Sequence, residues 1–159
     1  MDTSITRKSS RTFHVRDPGS AATHFIGMIM AAVGMGPLLA RAIRHPEPVY
    51  AVSMLLFMCS MVLLYAASTC YHTFDLSPHA NKILKKTDHM MISILIAGTY
   101  TPVCLIALKP STGTALCLAV WAMALGGILL KAFWIYCPKW ISSVLYIGMG
   151  WLCVFALGQ

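Results

Sequence analysis

The chain has 159 residues, of which 58% are hydrophobic and only 11% charged, and its formal net charge is +7. That balance is too apolar for an ordinary soluble domain. The basic residues lie between apolar runs and form no nucleic-acid-binding motif, so no nucleic-acid partner is expected, only contact with anionic lipid headgroups.

In chain order, residues 1–20 are polar and rich in Ser, Thr and Arg. They read as a cytoplasmic arm, and 21–159 as a transmembrane helical domain. Five stretches carry no Asp, Glu, Lys or Arg: 19–40, 49–74, 89–108, 110–130 and 140–159. Each approaches or exceeds the ~20 residues that cross a hydrocarbon core. Backbone groups in lipid must bond internally, which allows helices or closed barrels. Barrel strands would be ~10 residues long and alternating. These runs are longer and continuous, so the expected fold is an all-α integral membrane protein with five transmembrane helices, at about 22–41, 49–71, 88–108, 112–132 and 140–158.

The turns between them have their own signals. His45-Pro46-Glu47-Pro48 and Lys109-Pro110-Ser111 break the chain because proline blocks helix continuation. Ser77-Pro78 with a lysine cluster makes a longer loop, and Cys137-Pro138 the last turn. Small residues inside spans, among them Gly27, Gly34, Gly126, Gly127, Gly148 and Gly150, are expected to let helices approach closely. Arg7–Arg16 followed by an apolar stretch resembles a signal peptide, with Ala40-Arg41-Ala42 as a cleavage site. That stretch is longer than a signal core and more spans follow, so it is read as a retained helix. The six cysteines form no C-x-x-C pair and are expected to pack as small hydrophobes.

Charge asymmetry orients the chain. Arg7, Lys8, Arg11, Arg16, Lys82, Lys85, Lys86, Lys131 and Lys139 fall on one side, and Arg41, Arg44 and Lys109 on the other. The positive-inside rule then puts the N-terminus in the cytoplasm and Gln159 outside.

Three polar residues stand at the edges of the second and third spans. Ser68 and His72, spaced i and i+4, share one helix face. Asp88 opens the next span from the same surface. Ionisable groups in membrane segments are costly to keep there and are functional candidates. An imidazole is a common metal ligand, a carboxylate could ligate metal or hold a water, and a hydroxyl could orient either. Structural roles are open beside these. His72 could be an interfacial histidine, Asp88 a helix cap, and Ser68 bonded to a carbonyl one turn back. His24 and His89 sit at helix starts and are expected outside any metal shell. No two histidines stand four apart.

Taken in order, Ser68-Thr69-Cys70-Tyr71-His72, Thr87-Asp88-His89 and Leu95-Ile96-Ala97-Gly98-Thr99-Tyr100-Thr101-Pro102 closely resemble the haemolysin III family. That family is the bacterial branch of the progestin and adipoQ receptor superfamily. Thr23-His24-Phe25-Ile26-Gly27 and Gly148-Met149-Gly150-Trp151-Leu152 are similar to its first and fifth helices. The resemblance implies a bacterial plasma-membrane protein with a seven-helix fold and a zinc ion near the cytoplasmic side. It implies His72 as zinc ligand, Asp88 as holder of the zinc-bound water and general base, and Ser68 close by. The implied activity is hydrolysis of lipid amides such as ceramides. A pore-forming, cytolytic haemolysin and a non-catalytic receptor are the alternatives, and no charged stripe crosses a span to line a pore. The expected partners are membrane lipids, one of them a substrate.

The chain departs from the family in two places. It lacks the H-x-x-x-H of the seventh helix, and Gly19-Ser20-Ala21-Ala22 stands where acidic and Asn residues often precede the first-helix histidine. It is therefore expected to be a truncated five-helix form with an incomplete site and weak zinc binding, since catalytic zinc takes three protein ligands.

Overall fold

A computed structural model describes residues 14–156, with side chains to Val154. Most of the expected N-terminal arm, and Gln159, lie outside the described residues. Among those described, the chain is helical with no strand. The helices are α1 (Pro18–Ile43), α2 (Pro48–Thr73), α3 (Pro78–Pro102), α4 (Pro110–Phe133) and α5 (Lys139–Trp151). A π-type turn, Val103–Ala107, follows α3, and a 3₁₀ turn, Leu152–Ala156, follows α5.

The first four helices each open with a proline in the first turn. Proline lacks the N–H that would be unpaired there, and its φ is already helical. Asp17 and Ser77 complete two of these starts. Their side chains accept the N–H of Ser20 at 3.4 Å and of Ala80 at 3.3 Å. This moves two boundaries from those expected. Helix α1 begins at Pro18 rather than near residue 22, and α3 at Pro78 rather than at Asp88. The apolar run underestimated α3 because its first turns carry Lys82, Lys85 and Lys86, which are good helix formers. Asp88 thus lies inside a helix that Ser77 caps, which removes the capping role for its carboxylate.

Four helical segments are long and apolar enough to cross a membrane: Pro18–Ile43, Pro48–Thr73, Pro78–Ala107 and Pro110–Phe133. The fifth, expected as a span over 140–158, is α-helical for only 13 residues. The Tyr100 hydroxyl donates to the Gly150 carbonyl at 2.7 Å and accepts the Cys153 N–H at 3.0 Å. A side-chain oxygen inserted there diverts groups that would serve the helix ladder, and the following turn tightens.

Helices α1 to α4 pack in chain order, each on the next, and α5 lies against α3 and α4. Two close approaches set this arrangement. A Cβ on Gly98 would fall 2.2 Å from Ser60 Oγ, and one on Gly113 would fall 1.9 Å from the Cys104 carbonyl oxygen. Neither position accepts a side chain without moving a helix. Gly126 and Gly150, by contrast, face open space rather than a neighbouring helix. The core is small: Ala97, Cys104, Leu116, Val120, Ala124 and Met149. Thr101 is buried beside it and accepts the Trp121 Nε1–H at 3.1 Å. Large apolar side chains such as Met30, Val33, Leu63 and Leu118 point outward. Small residues inside and large ones outside is the arrangement expected of helices that meet lipid.

Candidate functional site

The end of α2 is clasped by the segment before α1. The Asp17 N–H donates to the His72 carbonyl at 2.9 Å, and the Arg16 N–H to that of Thr73 at 3.3 Å. Helix ends leave their last carbonyls without intrahelical partners, so these bonds supply what the helix lacks. The Arg16 guanidinium lies 4.5 Å from the Tyr71 ring centroid, a cation–π contact.

The same clasp places a carboxylate on the histidine. Asp17 Oδ2 is 3.4 Å from His72 Nδ1. The Ser20 hydroxyl and N–H hold the Asp17 carboxyl below its ordinary range, with a smaller contribution from His72. His24 stacks on the His72 ring, with ring centroids 5.5 Å apart and planes 20° apart. His72 thus has two side-chain neighbours from the first helix and its cap. The sequence reading set His24 aside and sought an acid only among residues 19–22. The signal it could have used is Asp17-Pro18, an acidic N-cap before a proline at N1.

Ser68 and Asp88 are buried at 4% and 7% exposure. The contact of Gly98 on Ser60 fixes the register of α3 on α2. Counting back equally along the two antiparallel helices from that contact sets Asp88 level with Cys70, between Ser68 and His72 in height. Shared height is not contact. Among the described residues the His72 ring pairs with Asp17, and no ion pair joins it to Asp88. Nor do three His, Cys, Asp or Glu side chains gather anywhere among them in a way that could hold a metal ion. Such a donor set does not by itself fit zinc, which takes three or four protein ligands.

His89, next to Asp88, has its ring centroid 6.4 Å from that of Tyr71 on α2 and also borders the space between α3, α4 and α5. Its Nδ1 is buried without a hydrogen-bond partner, and its carbonyl accepts the Tyr146 hydroxyl at 3.1 Å. It lines a cavity of about 660 Å³ between α3, α4 and α5, where Lys131 is buried. Sequence reasoning counted Lys131 only as a loop charge.

Residues 14–159 match the family model described as "Haemolysin-III related". The chain belongs to the haemolysin III family. It is 36% identical over 155 residues to "Hemolysin-3" of Bacillus cereus, which covers 96% of this chain and 70% of that protein. It is 38% identical over 138 residues to the "Hemolysin-3 homolog" of Bacillus subtilis (strain 168), covering 87% of this chain and 64% of the relative. The chain therefore spans about two thirds of the length of these haemolysin III relatives. No solved structure matches it. The family match begins at residue 14, so it takes in Arg16 and Asp17 as well as the spans.

Proposed function

We propose that this haemolysin III protein contributes the polar half of a hydrolytic site directed at lipid amides, at the cytoplasmic edge of a bacterial plasma membrane. One observation carries the reading. A carboxylate and a hydroxyl, Asp88 and Ser68, are kept buried at the height of an imidazole, His72, between membrane helices. Holding such groups there costs stability, and a chemical role offsets the cost. Asp88 is the candidate general base, because a carboxylate at this height could take a proton from an attacking water. Ser68 is placed to orient a substrate group. His72 is the candidate metal ligand, and the clasp by Asp17 fixes the carbonyl end of its helix.

Zinc, if it takes part, would supply a Lewis acid at this height. The described residues present too few donors to hold it alone, so this chain is proposed to bind zinc weakly. The orientation belongs to the same reading. Nine of twelve basic residues lie at the α1 N-terminal end, which is proposed to face the cytoplasm.

The test is turnover of a ceramide-type amide by the purified 159-residue chain in detergent, with metal content measured alongside. Asp88→Ala and His72→Ala are expected to remove any turnover that wild type shows, with zinc well below one per chain. Turnover unchanged by both substitutions would sink the reading. Leakage of dye from loaded vesicles without turnover would favour a membrane-perturbing role instead. Labelling of a cysteine introduced at Ser9 from outside intact cells would reverse the orientation.

A further inference from the structure

The cavity between α3, α4 and α5 lies on the other side of α3 from His72. Its wall carries three ammonium groups, Lys85, Lys131 and Lys139, together with His89, Ser142 and Tyr146, and no carboxylate. Lys131 is the decisive member. Its side chain belongs to a residue only 5% exposed. Its Nζ donates to Cys137 Sγ at 3.2 Å and to Ser142 Oγ. An ammonium has three donors, and these two acceptors leave one for another partner. Among the described residues no carboxylate forms an ion pair with it. Asp88 is near enough to act electrostatically on His89 and Tyr146, yet it does not pair with Lys131.

A charge withdrawn from water is strongly unfavourable unless an opposite charge or a full set of acceptors meets it. Here one ammonium is buried and two more stand at the rim, since Lys139 is exposed and Lys85 half-buried. All three residues line one space. The rim also carries Tyr136, whose ring lies 5.0 Å from Lys85 Nζ and 5.9 Å from Lys82 Nζ. The space lies between the end of α4 and the start of α5, at the basic end of the helices.

We propose that this cavity binds an anionic phosphate group, with Lys131 at its floor and Lys85 and Lys139 at its rim. The ammonium of Lys131 keeps a free donor for a phosphate oxygen, and Ser142 and Tyr146 stand in the same wall. A volume of about 660 Å³ admits a phosphate with a glycerol attached and excludes a whole diacyl lipid. Any acyl chains must then lie along the exposed apolar faces outside. The same phosphate chemistry is offered by an anionic glycerophospholipid in the bilayer and by free phosphate from the aqueous side.

The experiment is native mass spectrometry of the purified 159-residue chain in a phosphate-free detergent buffer. Dioleoyl phosphatidylglycerol is titrated against dioleoyl phosphatidylcholine, and inorganic phosphate is titrated in a separate arm. One phosphatidylglycerol per chain, in preference to phosphatidylcholine, is expected. Lys85→Gln and Lys139→Gln should each weaken it roughly five-fold. Lys109→Gln, at the opposite end of α4, should leave it unchanged. Both rim positions are open enough that folding is not at stake, and Lys131→Met is then expected to abolish the adduct. Binding of inorganic phosphate with the same lysine dependence, and no lipid adduct, would support the site and assign it to an aqueous anion. Equal binding of the two lipids without phosphate binding would overturn the proposal. So would equal loss in Lys109→Gln and the rim variants, because annular attraction would then account for everything.

Discussion

At the clasp over α2 the polar groups are partly open to water. The side chains of His72 and Asp17 are 22% and 49% exposed, and they meet across 3.4 Å. Around Lys131 the charge is dry, 5% exposed, and held by a thiol and a hydroxyl rather than by a carboxylate. Both regions sit at the same basic end of the bundle, on opposite sides of α3. The wet pair is cheap to form and cheap to lose, since water screens it. The buried ammonium depends more on each acceptor, because less of it meets bulk water. The first arrangement suits a histidine whose partner can change. The second suits a charge that waits for a ligand.

The largest effect is expected where the two regions are held in register. Gly98→Leu would drive a side chain into Ser60 and push α3 off α2. Overpacking of this kind costs about 1–3 kcal/mol, and more where helix backbones meet this closely. Folded yield in detergent, read by size-exclusion chromatography, should fall to a small fraction of wild type. Normal yield would mean that the helices are not packed at this register, and the shared height of Asp88, Ser68 and His72 would go with it.

Next comes the dry region. Ser142→Ala removes one of the acceptors on the buried Lys131 ammonium, which should cost about 1–3 kcal/mol. Thermal melting in phosphate-free detergent measures it. No change in Tm would show that Lys131 reaches water, and the contrast between the two regions would collapse.

Cys137 offers a finer probe of that region. Its hydrogen bond with Ser142, followed by the Lys131 ammonium, holds the thiol below its ordinary value of 9.0 against the burial that opposes this. Alkylation by iodoacetamide, mapped to Cys137 by peptide mass spectrometry, should therefore have its midpoint below pH 9.0. Ser142→Ala should move that midpoint upward. A midpoint at or above the ordinary value in wild type would remove Lys131 from contact with the sulfur.

The smallest effect belongs to the wet region. The Asp17 carboxyl is depressed in the fold, so its contribution to stability is present above the unfolded value of 3.8 and is lost as pH falls through the lower folded one. Asp17→Asn should melt slightly below wild type near neutrality, by less than Ser142→Ala. The two proteins should converge in acid below that ordinary carboxylate value. A gap that persists in acid would mean that Asp17 acts through shape rather than charge.

The architecture was largely legible from residue order. Charge-free runs near the length of a membrane span, proline at each turn and unequal basic loops require apolar helices, because backbone in lipid has no other solution. The S-x-x-x-H and A-G-T-Y-T-P segments carried the family. Ser68, His72 and Asp88 could be picked out because polar groups are conspicuous in apolar runs. What lay beyond the sequence reading depends on contacts between distant residues. The start of α3 was hidden because lysines that are poor in lipid are good in helices. The α-helical part of the fifth segment stops at Trp151, and apolarity alone does not reveal the tyrosine, fifty residues earlier, that enters its backbone ladder. Asp17 and His24 reach His72 only once α1 lies against α2, and Lys131 becomes a buried charge only once α5 folds back over α4. Sequence by itself determined which segments seek lipid, since that preference belongs to each side chain alone. Only the tertiary structure decided which polar groups share a site and which charges go without a counter-ion, because those properties arise from the space between helices.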